Sequence, residues 1–457
     1  MPGLIMMVAL MFGGTAFAAE NWPNWRGPHG TGISDDHPLP TRWSTDENIA
    51  WRAPLQGLGV SGPIVWGDRI FVTSQLGIGE LREGRHPTLM RGEDTSAERP
   101  LGDARKNRGG ESDEVVLLVE AFDRTDGRRV WEYRLPAEEV VGELPPVHSK
   151  HNLASPSPVT DGEHVYAWFG TGQLVALDMN GQLAWKRHLG KEIAPFMISW
   201  GHASSPTLFG DTLFLLCDHD NESYLLALDK RTGQEKWKND RGEDMRSYST
   251  PFVVRGAERD ELIVNSSKRV EAFDPATGEL LWYTGESNRF PIPVPSYDDG
   301  ILYMSRGYRS GPYMAMRTGG SGDVSSSHVL WRVATGAPYV SSILYYDGLV
   351  YMANGAGIVT CVDGKTGERV WQERMNAIFS ASPVAGDGKV YFLAESGELI
   401  VLAGGRKLNV LARNSVGERS LASPAVANGQ IFIRTDDHLY CVGKQSEADA
   451  TTSGNGR

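Results

Sequence analysis

An eleven-residue pattern of an apolar pair, an Asp, a Thr-Gly turn and a terminal Trp recurs along the chain, and it limits what the chain can fold into. It reads AFDPATGELLW at Ala272 to Trp282, AFDRTDGRRVW at Ala121 to Trp131, ALDKRTGQEKW at Ala227 to Trp237 and CVDGKTGERVW at Cys361 to Trp371. A copy shortened by one residue, ALDMNGQLAW, runs from Ala176 to Trp185. Before each copy stands a second pattern, S-x-P-x-V, followed by a Gly/Asp turn and an alternating strand, as in ASPSPVTDGEHVYAWFGTGQLVALD. Short alternating runs broken by Gly, Asp and Asn signal hairpins, because turn positions with positive φ favour those residues. Each unit therefore supplies four antiparallel strands, and self-similarity at about 40 to 55 residues predicts a β-propeller rather than a sandwich.

In order, the units begin at Gly59, His151, Trp200, Ser247, Asn288, Pro338, Ala377 and Ser420. The eighth runs out after three strands. ENIAWRAPL, Glu47 to Leu55, resembles the Trp-bearing fourth strand of the other units, so it is expected to complete the last blade and close the ring, removing two exposed sheet edges. The expected fold class is all-β: one eight-bladed propeller of four-stranded antiparallel blades over residues 20–443, with an insertion at 76–113 in blade 1 and a disordered tail at 444–457. The motif tryptophans Trp51, Trp131, Trp185, Trp237, Trp282, Trp331 and Trp371 would fasten blade to blade from the outer strands, and Leu411 takes that position in the seventh unit. Burying one such Trp contributes on the order of 2 to 3 kcal/mol.

A net charge of -12 opposes binding to a phosphate backbone, so no nucleic-acid partner is expected. Residues 1–19 read as a signal peptide, with an apolar run from Leu4 to Phe12 and the small-residue pattern AFA at 16–18, although no Lys or Arg precedes the run. A periplasmic or secreted monomer is expected, since no other stretch is apolar enough to span a bilayer. Cys217, Cys361 and Cys441 are too scattered for a disulfide framework or a Cys metal site and read as buried thiols.

The motif copies and the count of eight resemble the quinoprotein-dehydrogenase-like propeller superfamily, from about Asn21 to Val442. NWPNWRGPHGTG and the GGSGDVSSSHVLW variant of unit five look most like its PQQ-binding-like repeat proteins from bacteria. That resemblance implies one of two functions. Some members are dehydrogenases dependent on pyrroloquinoline quinone (PQQ). In the alcohol dehydrogenases the quinone sits on an axial Trp beneath adjacent cysteines, beside a Ca²⁺ held by a Glu, an Asn and an Asp. Others, such as the assembly factor BamB, are not enzymes. This chain has no adjacent Cys pair, no CxxCH and no Glu/Asn/Asp set at matching blade positions, and it lacks the lipid-attachment Cys of BamB. The reading is therefore an exported, non-catalytic scaffold, BamB-like in shape, that binds an envelope or secreted protein and carries no cofactor. A PQQ-dependent alcohol or sugar dehydrogenase, with PQQ and Ca²⁺, is the alternative.

Loops that join one blade's outer strand to the next blade's inner strand meet at one mouth of the channel, where a ligand or partner would bind. They supply His148, Lys150, His151, Trp200, His202, Arg246, Tyr248, Arg289 and Tyr339 as candidate binding residues. The H-x-x-H spacing of His148 and His151, with His202 in the next unit, allows an open zinc or copper site, against which no carboxylate or helix fixes the spacing. CDHDNES, Cys217 to Ser223, allows Ca²⁺ but reads more simply as a solvated acidic turn.

Overall fold

The computed structural model describes residues 21–77, 115–136, 147–148 and 150–443. The expected signal peptide, almost all of the insertion and the tail lie outside these residues. Eight sheets form the ring, antiparallel apart from one short parallel pair in the fourth. Blade 1 comprises Ile64–Trp66, Arg69–Leu76, Val116–Asp123 and Arg129–Pro136, so Leu76 belongs to a strand rather than to the insertion. Blade 8 comprises Ala425–Ala427, Gln430–Arg434 and His438–Val442, with Ile49–Pro54 as its fourth strand and Trp51 opposite Cys441. The ring thus closes with its first strand in its last blade.

The motif works as a paired plug and socket. In blade 3 the Asp229 side chain accepts the Thr232 amide at 3.0 Å and the Thr232 hydroxyl at 2.9 Å, while the Gly233 amide donates to the Asp229 carbonyl. The turn so fixed holds Gly233 at φ +70°, where a Cβ would lie 2.7 Å from the Trp185 ring of blade 2. The Trp185 indole N–H donates to the Lys230 carbonyl at 2.9 Å. Gly233 is required twice over, for its left-handed backbone and for the ring laid against it. The same joint repeats as Trp51 on Gly127, Trp131 on Gly181, Trp237 on Gly278 and Trp331 on Gly367, each with its indole N–H on the carbonyl that follows the turn's first residue. Trp371 makes a longer bond, 3.3 Å to the Gly405 carbonyl, where blade 7 has Ala403 instead of the Asp.

Trp282 departs from this pattern. Unit five replaces the tight turn with Gly319 to Ser327, and Gly322–Asp323 returns to pair in parallel with blade 4's outer strand, Trp282 opposite Gly322. Blade 4 therefore has five strands. The Trp282 ring is wholly buried, and its N–H turns back to Glu261 of its own blade at 3.0 Å.

Residues ahead of the first strand form a strap across one end of the ring. Trp22 bridges Val65 of blade 1, the Thr160 amide of blade 2 reaches the Pro23 carbonyl, and the strap then crosses to blade 7, where Gly32 and Ser34 bracket Ala385. Arg26 pins the crossing. Its buried guanidinium donates to the Gly30, Thr31 and Ile343 carbonyls, and burial pulls its pKa down to about 9.

Candidate functional site

The innermost strands build the channel from a repeated local rule. A residue ahead of Pro is pushed to an extended backbone, and in seven of the eight units, all but that of Ser342 ahead of Ile343, such a residue stands at the neck of the channel. Its amide then meets the hydroxyl of the same position one blade on: Gly62 to Ser157 at 2.8 Å, Ser157 to Ser205 at 2.9 Å and Ser205 to Thr250 at 3.0 Å. The series resumes as Val294 to Ser342 at 3.0 Å, Ser342 to Ser382 at 2.9 Å and Ser382 to Ser423 at 2.9 Å. It breaks twice, where Val294 and Gly62 have no hydroxyl to offer.

Two residues earlier in each unit, toward the mouth, comes a second tier: Val60, Ser155, Ala203, Tyr248, Ile292, Val340, Ser380 and Leu421. Together the tiers enclose a cavity of about 240 Å³, with Trp25 of the strap also in its lining. The inner strand of blade 2 ends at Thr160, which meets the strap, so Trp25 forms a floor and the mouth is at the other end.

Six of the nine predicted residues, His148, Lys150, His151, Trp200, Tyr248 and Tyr339, line this cavity. His148 and Trp200 stand edge to face with ring centres 5.8 Å apart, and Tyr248, Phe290 and Tyr339 with Ile198 form an apolar cluster beside the mouth. The Lys150 ammonium lies 3.2 Å from Glu395 of blade 7, reaching past blades 8 and 1, and the Ser380 hydroxyl donates to the same carboxylate at 2.5 Å. Loops before blade 2 and within blade 7 are thereby joined over the opening.

Three predicted residues lie elsewhere. His202 is buried in the wall, its ring centre 4.2 Å from that of Trp168. Its Nε2 is 3.1 Å from the Ser204 carbonyl, which only accepts, so Nε2 carries the proton and Nδ1 accepts from His219 Nε2 at 3.2 Å. Burial holds His202 well below the ordinary imidazole range and His219 at about 3, so both rings are neutral. Arg246 is held by Asp220 at 2.5 Å and Asp244 at 2.9 Å, and exposed Arg289 stacks over Phe290.

The same geometry bears on the metal alternatives. His148 Nδ1 accepts the Lys150 amide at 3.0 Å, and it forms no ligand triple with His151 and His202. Among the described residues the one triple of candidate ligands is Asp161, Glu163 and His164, where the Lys230 ammonium already sits 2.9 Å from Asp161. CDHDNES is solvated only in part: Glu222 is exposed, whereas Asp218 is fully buried and bonded twice by Arg241, which also holds Glu271 at 2.7 Å. Nor does the cavity suit the Ca²⁺ of the alcohol dehydrogenases. Its described lining contains no carboxylate, and Glu395 beside it is bonded to Lys150 and Ser380.

Trp25, Glu395 and the hydroxyl tier were missed. The hydroxyls were within reach, since a Ser or Thr directly ahead of Pro recurs at one register in five units. Trp25 carries no such signal because the strap does not repeat.

A family model described as "Outer membrane protein assembly factor BamB" matches residues 117–289 and 266–449, more than half of the chain, and the chain belongs to that family. The outer membrane protein assembly factor BamB of Yersinia pestis is 22% identical over 320 residues, covering 69% of this chain and 66% of that protein, just under two thirds of its length. BamB from Moraxella catarrhalis superposes with a TM-score of 0.52 at 15% identity, covering 74% of this chain and 94% of that one. Quinohemoprotein alcohol dehydrogenase from Comamonas testosteroni superposes with a TM-score of 0.62 at 12% identity, covering 94% and 81%. At such identities the likeness is one of fold. An assembly factor and a dehydrogenase share it, so the fold does not choose between them.

Proposed function

We propose that this chain is a non-catalytic, monomeric propeller of the bacterial envelope that binds a protein partner at the channel mouth. The observation that carries the reading is the chemistry of the mouth. It offers an apolar collar ringed by aromatic side chains, with no carboxylate in its described lining to serve as a base or to hold Ca²⁺. Met197, 53% exposed, and Ile378, 43% exposed, flank the opening in the loops before blades 3 and 7, as anchor-seeking surfaces often do. The family description supports a protein partner and an envelope location. No helix among the described residues is long and apolar enough to cross a membrane.

One observation favours the PQQ-dependent dehydrogenase as a second reading: the Trp25 indole lies in the axial channel, where a flat ring could stack on it. Titration with PQQ and Ca²⁺ separates the two. A tight stoichiometric complex that reduces an artificial dye with alcohols or sugars would sink the scaffold reading. Photo-crosslinking from Trp200 in the native envelope should capture one defined protein, and loss of that product on Tyr248→Ala is the supporting outcome.

A further inference from the structure

We infer that the cavity at the mouth is shaped to take the C-terminal residue of a polypeptide, with a large aromatic side chain in the collar and the terminal carboxylate on Lys150. The inference rests on the protein-binding reading above. Size is the first argument. At about 240 Å³ the cavity is smaller than the roughly 300 to 1,000 Å³ usual for cofactors and drug-sized ligands, yet ample for one large side chain.

Charge gives the second argument. Lys150 is the one formally charged side chain in the described lining, so a carboxylate entering the cavity would find a cation at the rim. Glu395 models that occupant, because it already places a carboxylate 3.2 Å from the Lys150 ammonium. An incoming chain end would take its place, leaving Glu395 with the Ser380 hydroxyl. Capture of a terminal carboxylate is an established way of reading a chain end, and here the ion pair across the opening would be exchanged rather than created.

The third argument is the graded lining. Apolar Val60, Ala203, Ile292, Val340 and Leu421 surround the place where the side chain would sit. Beneath them the hydroxyls of Ser157, Ser205, Thr250, Ser382 and Ser423 line the neck. Each of these hydroxyls accepts from a neighbouring amide, and none donates to a described residue. Their O–H groups are available to a ring face or a phenolic oxygen, above the Trp25 floor.

The test uses an acetylated Gly-Ser hexapeptide ending in Phe, as free acid and as amide, titrated into the full chain and followed by tryptophan fluorescence and calorimetry. The acid should bind at least about tenfold more tightly than the amide, as loss of a bond to a charged group implies. Lys150→Gln should remove that ratio, while Glu395→Gln should strengthen the acid several-fold and leave the amide unchanged. A purely structural ion pair would instead weaken both peptides in both variants, and that result overturns the proposal, as does equal binding of acid and amide. If Lys150→Gln fails to fold, Glu395→Gln still decides. Equal binding alongside an intact Trp200 crosslink defeats only this inference, whereas loss of any partner at the mouth defeats the protein-binding reading itself.

Discussion

Where blade 3 meets blade 4, Trp237 lies against Gly278 at the rim and the Ser205 amide meets the Thr250 hydroxyl at the axis. One junction further both devices are missing. Trp282 turns back to Glu261, and Thr250 faces Val294, which has no hydroxyl. The 4/5 junction is closed instead by parts that do not repeat. Buried Arg306 of blade 5 bonds Asn265, the Ser266 carbonyl at 2.9 Å and the Glu286 carbonyl at 3.0 Å, and the loop of unit five lends a strand to blade 4. The 8/1 junction, where the axial series also lapses at Gly62, is likewise met by a buried arginine, Arg434, which bonds Ser61, the Thr73 carbonyl and Ser74. A hydroxyl joint can thus be lost where a guanidinium with several acceptors takes over its task.

That substitution predicts the largest effect. Arg306→Ala leaves one side-chain and two backbone acceptors without their donor in a buried space, and should cost about 3 to 5 kcal/mol in chemical denaturation. Arg306→Lys should recover little, because an ammonium lacks the planar fork. A loss below about 1 kcal/mol would mean the lent strand alone holds the junction.

Next comes the rim. Gly278→Ala demands a left-handed Ala with its Cβ 2.5 Å from the Trp237 ring, and should cost about 2 to 3 kcal/mol. Gly319→Ala, at φ +86° with nothing within 4 Å, should cost about 1 kcal/mol from backbone strain alone. The excess at Gly278 should vanish in a Trp237→Ala background, a coupling that a double-mutant cycle measures directly.

These two residues also mark how far the sequence could be read. Gly278 and Trp237 belong to copies of one motif, so repetition exposed their role and gave the blade count and ring closure. Repetition misled at Trp282, which has the motif letters but not the neighbour, since a socket depends on the next unit's turn and unit five has none. At the mouth the loops were found because they link units, and six of nine chosen residues line the cavity. His202 and Arg246 failed because residue type does not say whether a side chain faces the axis or its own blade's wall. Trp25 reaches the channel floor and Glu395 its mouth through contacts between distant parts of the chain, which no local pattern records.

The 2/3 wall differs from the 3/4 wall in its response to acid. Arg241 neutralises two buried carboxylates in the latter, whereas the former buries His202 against His219 with no counter-charge. His219 falls to about 3 in the folded chain against an ordinary value near 6.5, so the unfolded chain binds its proton first. The stability contributed by neutral His219 is therefore complete above about pH 6.5 and lost as pH falls toward 3, by about 2 kcal/mol at pH 5. His219→Gln should reduce the fall in melting temperature between pH 7 and 5, the remainder being owed to buried His202. An unchanged slope would assign that acid sensitivity to other groups.

The smallest effects test the axial series itself. Ser205→Ala leaves the Ser157 amide without its acceptor at the neck and should cost about 1 kcal/mol, less than a rim joint because channel water can replace part of the bond. Val294→Thr runs the comparison in reverse. It supplies a hydroxyl at the position where the series lapses, facing a Thr250 amide with no bonded partner among the described residues. A hydroxyl added to an apolar core is unfavourable unless it is bonded, so the sign of the effect reports whether the bond forms. A gain of about 0.5 to 1 kcal/mol is expected if the 4/5 neck keeps the spacing of its neighbours. A loss would show that the lent strand and Arg306 have set blades 4 and 5 at a different distance, making that junction distinct in geometry as well as in chemistry.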